Sequence, residues 1–456
     1  MKPNANPVEA NMSQEGRLRH PGLMIVTAFG AVIGLGAVVL SLSVSHAGAS
    51  SMSFSDAVFT AVSAVTVTGL VVVDTGTAWS PFGELVILAL IQVGGLGVMT
   101  LAAFMGIVLN QRLGLRGAVL AGTEIGMTNL GVLRNLVRDI VRFVLASEVV
   151  LAVLLTARFL VMGDGLVRSL HLGLFHAVSA FNNAGFSIFD SGLEQFVGDW
   201  YFNVVIALGF IVGGLGFPVV FELGRRWRQP RTWSLHTKVT LGMTGVLLSF
   251  GTAMIFVVEW TNEATFGALG FDERVLASFF QSATARTAGF NTISIGSMRP
   301  ASWMVLILLM VIGAGSASTG GGIKISTFAV VIKSTMAELR GDHVTTLFER
   351  TISTSLRRQA LALVVAALGT IGTAAFLLMW IDASMPFGEV LFEAASAFGT
   401  VGVSTGLTAE FDFMGRAVIM VLMFIGRVGP ITFGTAVLLR SQRKRYGYAE
   451  EEMLVG

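Results

Sequence analysis

Long apolar stretches alternate along this chain with short ones that each end in a glycine. The long stretches lie near 22–45, 82–109, 140–161, 200–224, 237–260, 301–334, 359–381 and 414–438. Each can cross a hydrocarbon core of roughly 30 Å at a rise of about 1.5 Å per residue. Between the two members of each successive pair lies an apolar stretch of about a dozen residues, too short to cross. These short stretches carry AVSAVTVTGL, AVSAFNNAGF, QSATARTAGF and AASAFGTVGV, in which Phe59, Phe175, Phe279 and Phe392 are followed ten positions later by Gly69, Gly185, Gly289 and Gly402. A register kept through four copies is an internal repeat. The pattern predicts an all-α integral membrane protein of four parallel membrane-pore-membrane repeats, with eight transmembrane helices and four re-entrant pore helices around one central pore. Repeat boundaries are expected at 22–109, 110–224, 225–334 and 335–439, flanked by a cytoplasmic N-terminal segment, 1–21, and a cytoplasmic C-terminal tail, 440–456.

Composition changes the picture only by excluding alternatives. Of 456 residues 54% are hydrophobic and 13% charged, and the mean hydropathy is +0.76, outside the range of soluble domains. Most of the 30 Lys and Arg residues fall in the N-terminal segment, in the linkers after the second, fourth and sixth long stretches, and in the tail, which the positive-inside rule places in the cytoplasm. The opposite loops hold acids, among them Asp56, Asp74, Glu84, Asp190, Glu194, Glu259, Glu393 and Glu410. Together they predict an outer vestibule that attracts cations, although any one of them also serves topology and solubility. The six histidines form no HExxH and there is no cysteine, so neither metal nor thiol catalysis is expected, and no enzyme. Ala47-Gly48-Ala49 mimics a signal cleavage site, but the apolar stretch before it is too long for a signal peptide.

Non-helical backbone at membrane depth survives only when buried in protein or lining water, so four glycine-ended loops imply a shared aqueous pore. A re-entrant helix entering from outside points the negative end of its dipole at the bilayer centre. Carbonyls of the returning chain then replace the water shell of an ion, with glycine supplying the backbone freedom. Selectivity of this kind resides in main chain. A second glycine cluster trails each loop, QVGGLG, IVGGLG, VIGAGS and FIGRVG. Gly-Gly at 94–97 and 213–216 suits close helix packing. The run from 313 to 322 does not, because three consecutive glycines pack poorly, and a hinge is expected there. It is no phosphate loop either, since Gly322 is followed by Ile323 before Lys324, whereas Lys must follow the last glycine directly. Arg427, midway through the last apolar stretch, is either an electrostatic gate facing the pore or a buried structural clamp. Arg286 breaks the symmetry of the third loop and is expected to brace it, against Glu393 or another acid. Asn182 and Asn183 are expected to brace the second.

VTVTGL, FNNAGF, ARTAGFN and FGTVGV resemble the pore loops of the Trk, Ktr and HKT potassium transporter superfamily, and the Ktr-type membrane subunit most of all; the likeness covers nearly the whole chain. The resemblance implies potassium uptake across the inner membrane of a bacterium through a filter made of Thr66, Val67, Thr68 and Gly69, then Asn182, Asn183, Ala184 and Gly185, then Arg286, Thr287, Ala288 and Gly289, and Gly399, Thr400, Val401 and Gly402. Potassium is expected on the backbone carbonyls of Thr66, Val67, Asn182, Asn183, Arg286, Thr287, Gly399 and Thr400. Serine at the first loop glycine goes with sodium preference in that superfamily, and Gly69 is glycine. The resemblance makes Gly313, Ala314, Gly315, Ser316, Ala317, Ser318, Thr319, Gly320, Gly321 and Gly322 an intramembrane gating loop under the filter, held shut by Arg427. It implies no covalent cofactor, sodium as an activator, a homodimer, contact with membrane lipid, and a cytoplasmic regulatory ring, KtrA-like, that binds ATP or ADP; nucleic acid is no partner. The alternative is a secondary active transporter of another cation or solute, for instance a sodium-selective one, but its inverted repeats would not be parallel.

Overall fold

The structure, a computed structural model, describes residues 21–48, 52–100, 129–342 and 344–439. One three-part unit recurs four times. The first is α1 (Pro21–Leu40), α2 (Phe54–Thr66) and α3 (Pro81–Thr100). The second is α4 (Asn129–Val161), α5 (Leu166–Phe181) and the pair α6 (Trp200–Leu215) and α7 (Phe217–Arg226). The third is α8 (Leu235–Glu259), α9 (Phe271–Thr284) and the pair α10 (Pro300–Val311) and α11 (Ile325–Leu339). The fourth is α12 (Thr354–Ile381), α13 (Phe387–Gly399) and α14 (Phe413–Leu439). The expected N-terminal segment, the far end of the 82–109 stretch with the linker after it, and the tail lie outside the described residues.

Local chemistry sets where these helices start. Ser53 and Asp56 close a capping box at the head of α2, Ser53 Oγ accepting from Asp56 N at 3.2 Å and Asp56 Oδ2 from Ser53 N at 3.1 Å. Asp199, Ser234 and Ser353 accept from the third residue of α6, α8 and α12, each satisfying an amide that has no partner inside its helix. Between the third and fourth repeats a hairpin of β1 (Thr346–Leu347) and β2 (Arg350–Thr351) turns on Phe348 and Glu349, both at positive φ.

The core explains why four units make one body. The apolar cluster of the first repeat is completed by Phe175, Val178, Ala184 and Phe186 of the second. That of the second takes in Phe280, Ala283, Ala288 and Phe290 of the third, and the third takes in Phe392, Ala395, Val401 and Val403 of the fourth. The fourth closes on Phe59, Val62, Leu70 and Val72 of the first. Each repeat thus buries the next one's pore helix, in a cycle.

Two long stretches depart from the sequence expectation of simple spans. Among the described residues α3, α4, α8 and α12 are long and apolar enough to cross alone, and α1 and α14, at 20 and 27 residues, have the length. The 200–224 stretch instead bends by 101° between α6 and α7, at Gly216 with φ +89°. The 301–334 stretch is interrupted where α10 gives way to a loop over 312–324. A second departure concerns the acids. Glu259 and Glu393 are fully buried and Glu84 nearly so, so they are no part of an exposed vestibule. Glu259 accepts from Ser302 Oγ, Asn262 Nδ2 (2.6 Å), Thr265 Oγ1 (2.7 Å) and Arg299 N (2.9 Å). Glu393 accepts from Ser404 Oγ (2.7 Å), Thr405 N (2.8 Å) and Thr408 Oγ1 (2.5 Å). Each staples a pore repeat to the loops beside it, because a buried carboxylate must be saturated with donors.

Candidate permeation pathway and gate

Past each pore helix the backbone takes the same path. Val67, Asn183, Thr287 and Thr400 have φ of 56°, 59°, 79° and 48°, and the glycines two residues on, Gly69, Gly185, Gly289 and Gly402, have 88°, 70°, 86° and 92°. Peptide units of alternating hand turn the same way, so amides gather on one side of the strand and carbonyls on the other. A left-handed residue with a side chain costs about 1–2 kcal/mol, and hydrogen bonds back to the pore helices hold it there. Thr68 N donates to Ser63 O (2.9 Å), Ala184 N to Ser179 O (2.8 Å), Ala288 N to Thr284 O (2.9 Å) and Val401 N to Ser396 O (2.9 Å). In the first and fourth loops the serine hydroxyl also accepts from the glycine amide, Gly69 N to Ser63 Oγ at 3.0 Å and Gly402 N to Ser396 Oγ at 3.2 Å.

The four loops meet. A Cβ placed on Gly69 would collide with the carbonyl oxygen of Ala184, one on Gly185 with that of Ala288, one on Gly289 with that of Val401, and one on Gly402 with that of Thr68. The collisions run once round the four repeats and close. Glycine is required here twice over, by conformation and by the next loop's oxygen. A ring of oxygens from four loops can replace the water around a desolvated cation. The oxygens of this ring belong to Thr68, Ala184, Ala288 and Val401, residues that the sequence reading put in the filter but not among the carbonyls that hold the ion.

Deeper residues turn their side chains away from the ring. Thr66 Oγ1 donates to Val62 O at 2.8 Å. Asn182 Nδ2 donates to Glu148 Oε1 (2.9 Å), Gln92 Oε1 (3.2 Å) and Val178 O (3.0 Å). Arg286 reaches α8 rather than Glu393, donating to Thr244 Oγ1 at 3.2 Å and Thr244 O at 3.4 Å. The trailing glycine clusters of the first, second and fourth repeats pack on the ends of their own pore helices. A Cβ on Gly94 would meet Val65 O, one on Gly213 Phe181 O, and one on Gly426 Phe398 O.

Under the ring sits the 312–324 loop. Cβ atoms added to Gly320 and Gly321 would strike Thr287 Oγ1 and Thr400 Oγ1, and Thr319 Oγ1 donates to Asn183 Oδ1 at 2.9 Å, so the loop touches three of the four left-handed residues directly below the filter glycines. Arg427 fastens it. This side chain, 2% exposed, donates from Nη1 to Thr319 O and from Nη2 to Gly94 O at 3.2 Å, with no carboxylate partner among the described residues. It is the carbonyl clamp that the sequence reading held as an alternative to a bare electrostatic gate, and it stands where the other repeats have Gly95, Gly214 and Ala314. Lys324 Nζ takes the next carbonyl, that of Gly320, at 2.5 Å. The sequence reading missed Lys324, as well as Glu148 and Gln92 behind Asn182. A lysine two residues past a glycine-rich break and an acid inside an apolar stretch were the available signals.

The family description "TrkH: Cation transport protein" matches residues 6–444. The chain belongs to this family. Among its relatives, the Ktr system potassium uptake protein B of Bacillus subtilis is 42% identical over 436 residues, covering 96% of this chain and 97% of its own. The protein of the same name from Vibrio alginolyticus is 41% identical over 95% of this chain and 94% of its own. The potassium/sodium uptake protein NtpJ of Enterococcus hirae is 32% identical over 96% and 97%. The crystal structure of the potassium transporter TrkH from Vibrio parahaemolyticus superposes with a TM-score of 0.74 over 92% of this chain and 84% of that one, at 17% identity, a likeness of fold. Within the TrkH family, relatives are named as transporters rather than enzymes, in line with the absence of a catalytic motif.

Proposed function

We propose that this chain is the potassium-conducting membrane subunit of a Ktr-type uptake system, with the four loops as its filter and residues 313–322 as its gate. The closed cycle in which each loop glycine makes room for the next repeat's carbonyl carries the reading, because a ring of backbone oxygens has no use in a packed scaffold. Potassium rather than sodium follows from the names of relatives more than 40% identical and from glycine at all four ring positions. The names of two relatives speak of a system, and the absence of a soluble domain from the described residues leaves regulation to another polypeptide, which we take to be a nucleotide-binding ring docked on a homodimer. The concentration of Lys and Arg in the termini and in the linkers after the even-numbered long stretches supports cytoplasmic termini, and we take the membrane to be the cytoplasmic one. Sodium, in the name of NtpJ, enters as an activator or a second permeant ion.

The test is potassium and sodium flux into proteoliposomes holding the full chain, under an inside-negative potential, with and without the regulatory subunit. Potassium flux above sodium flux supports the proposal. Sodium flux equal to or above potassium overturns the selectivity, and no flux of either ion from folded protein with the regulator bound overturns the pore.

A further inference from the structure

The gating loop is gripped from one side by the elbow between α6 and α7. Gly315 N donates to Gly214 O at 2.8 Å, Thr319 N to Gly213 O at 3.3 Å and Phe217 N to Ala317 O at 3.3 Å. Gly216, at the bend, lies so close to Ser316 O that a Cβ there would strike it. Whatever moves the elbow therefore moves the loop.

α7 leaves this elbow at 101° to α6. α6 has 16 residues and reaches the length of a span only together with α7, so the basic end of α7 is the part of the pair that meets the headgroups of the inner face. Its faces suit that position. Phe217 and Val219 are buried, and Phe221 packs edge-on against Phe143 and Phe217. The end of α7 and the turn after it instead expose Arg225, Arg226, Arg228 and Arg231, with Trp227 at 64% exposure. None of the four arginines forms a salt bridge among the described residues. The Glu222 carboxylate on the same helix is taken up by Ser234 N (2.9 Å), Ser234 Oγ (2.6 Å) and Thr237 Oγ1. Arg228 lies over the Trp227 ring at 4.6 Å, and Trp233 Nε1 donates to Arg226 O at 2.9 Å, which fixes the turn against α7.

We propose that this surface docks the headgroups of anionic phospholipid, and that its occupancy is relayed through the Gly216 elbow to the gating loop. Guanidinium forks match phosphate oxygens, and indole rings settle at the headgroup level. Each basic residue near an anionic leaflet raises binding about fivefold, so four together discriminate strongly between anionic and zwitterionic lipid. The relay rests on the 312–324 loop being the gate; the docking does not.

The experiment uses the full chain in vesicles of phosphatidylcholine, with or without phosphatidylglycerol. Brominated phosphatidylglycerol should quench tryptophan fluorescence more than brominated phosphatidylcholine, and the excess should vanish in Trp227→Phe and in a variant with all four arginines changed to Gln. The native chain has no cysteine, so Ser316→Cys is a single reporter, and its maleimide labelling rate should change about threefold or more on adding phosphatidylglycerol, as a surface of several charges allows, but not in the Gln variant. Equal quenching by the two lipids, or an anionic preference that survives loss of the four arginines, overturns the docking. Labelling indifferent to phosphatidylglycerol overturns the relay. Lipid-insensitive signals together with a regulatory subunit that binds the wild type and not the Gln variant would give the surface to a protein partner and likewise overturn the proposal. Labelling reads the loop's position rather than ion flux, so its outcome is separable from the fate of the potassium reading.

Discussion

Replacing Arg427 by Gln should open the gate. The guanidinium makes two charge-assisted hydrogen bonds, one to the gating loop at Thr319 O and one to α3 at Gly94 O, and bonds of this kind contribute about 1.5–3 kcal/mol each. Glutamine is shorter and neutral and keeps at most one weaker bond, so the closed arrangement loses about 2–3 kcal/mol relative to one with the loop displaced. At about 1.4 kcal/mol per factor of ten, the open-to-closed ratio rises about 30- to 150-fold. The fold should survive, because Arg427 has no carboxylate partner among the described residues and its Nε lacks an acceptor; removing it leaves no orphaned opposite charge. Rubidium tracer uptake into proteoliposomes should therefore show a higher maximal rate, with an apparent KM changed by less than about threefold, since the ring is untouched. Arg427→Lys keeps the charge without the fork and should fall between. An unchanged or lower maximal rate in both variants, with protein that is folded and monodisperse, would refute the clamp.

Gly69→Ser puts a side chain on the Ala184 carbonyl at φ +88°, so potassium-over-sodium preference should fall, read as the ratio of tracer fluxes. Thr319→Val removes the bond to Asn183 Oδ1 and a weaker one to Phe181 O, about 1 kcal/mol on the loop, and should raise maximal flux about fivefold, less than Arg427→Gln. Glu393→Gln turns an acceptor saturated by Ser404, Thr405 and Thr408 into a half-donor, costs about 2–3 kcal/mol, and should lower the melting temperature in detergent. Burial holds the Glu194 carboxyl above its ordinary value, partly offset by the Asn291 amide. Its contribution to stability is therefore present below the ordinary carboxylate range and is lost as pH rises through the elevated value, and Glu194→Gln should flatten that slope in thermal melts against pH.

The glycines of the ring could be read from the sequence because main-chain conformation demands them, whereas the carbonyls they face could not. Glycine at a fixed step after an apolar helix is the direct trace of positive φ and close approach, and both hold at Gly69, Gly185, Gly289 and Gly402. What side chains do around the ring was less legible. Glu259, at a helix end, and Glu393, within a pore helix, read as outward-facing charge, yet Glu259 meets Ser302 and Arg299 N some forty positions along the chain, and no local pattern reports such donors. Arg286 was expected to face an acid and finds Thr244 on the preceding long helix instead. The elbow had a readable signal, Gly216-Phe217-Pro218, because a glycine followed by proline in a helix's first turn marks a helix start; unbroken hydropathy across 200–224 hid it.

Symmetry and its breaking divide the labour. The filter proposed above needs four equivalent oxygens, and the backbone repeats its angles in every loop. A gate needs the opposite, one element able to move while three hold still. Just below the ring three of the four repeats each break the pattern once. The third replaces a helix by residues 312–324, the fourth replaces a small residue by Arg427, and the second bends at Gly216. These breaks touch one another, since Arg427 and the elbow both bind the loop, whereas the first repeat gives Arg427 an anchoring carbonyl at Gly94. Departures scattered by drift would have no reason to meet. Their meeting under the filter is why a change at any one of them should alter how often the pore opens, and a change in the ring should alter what passes.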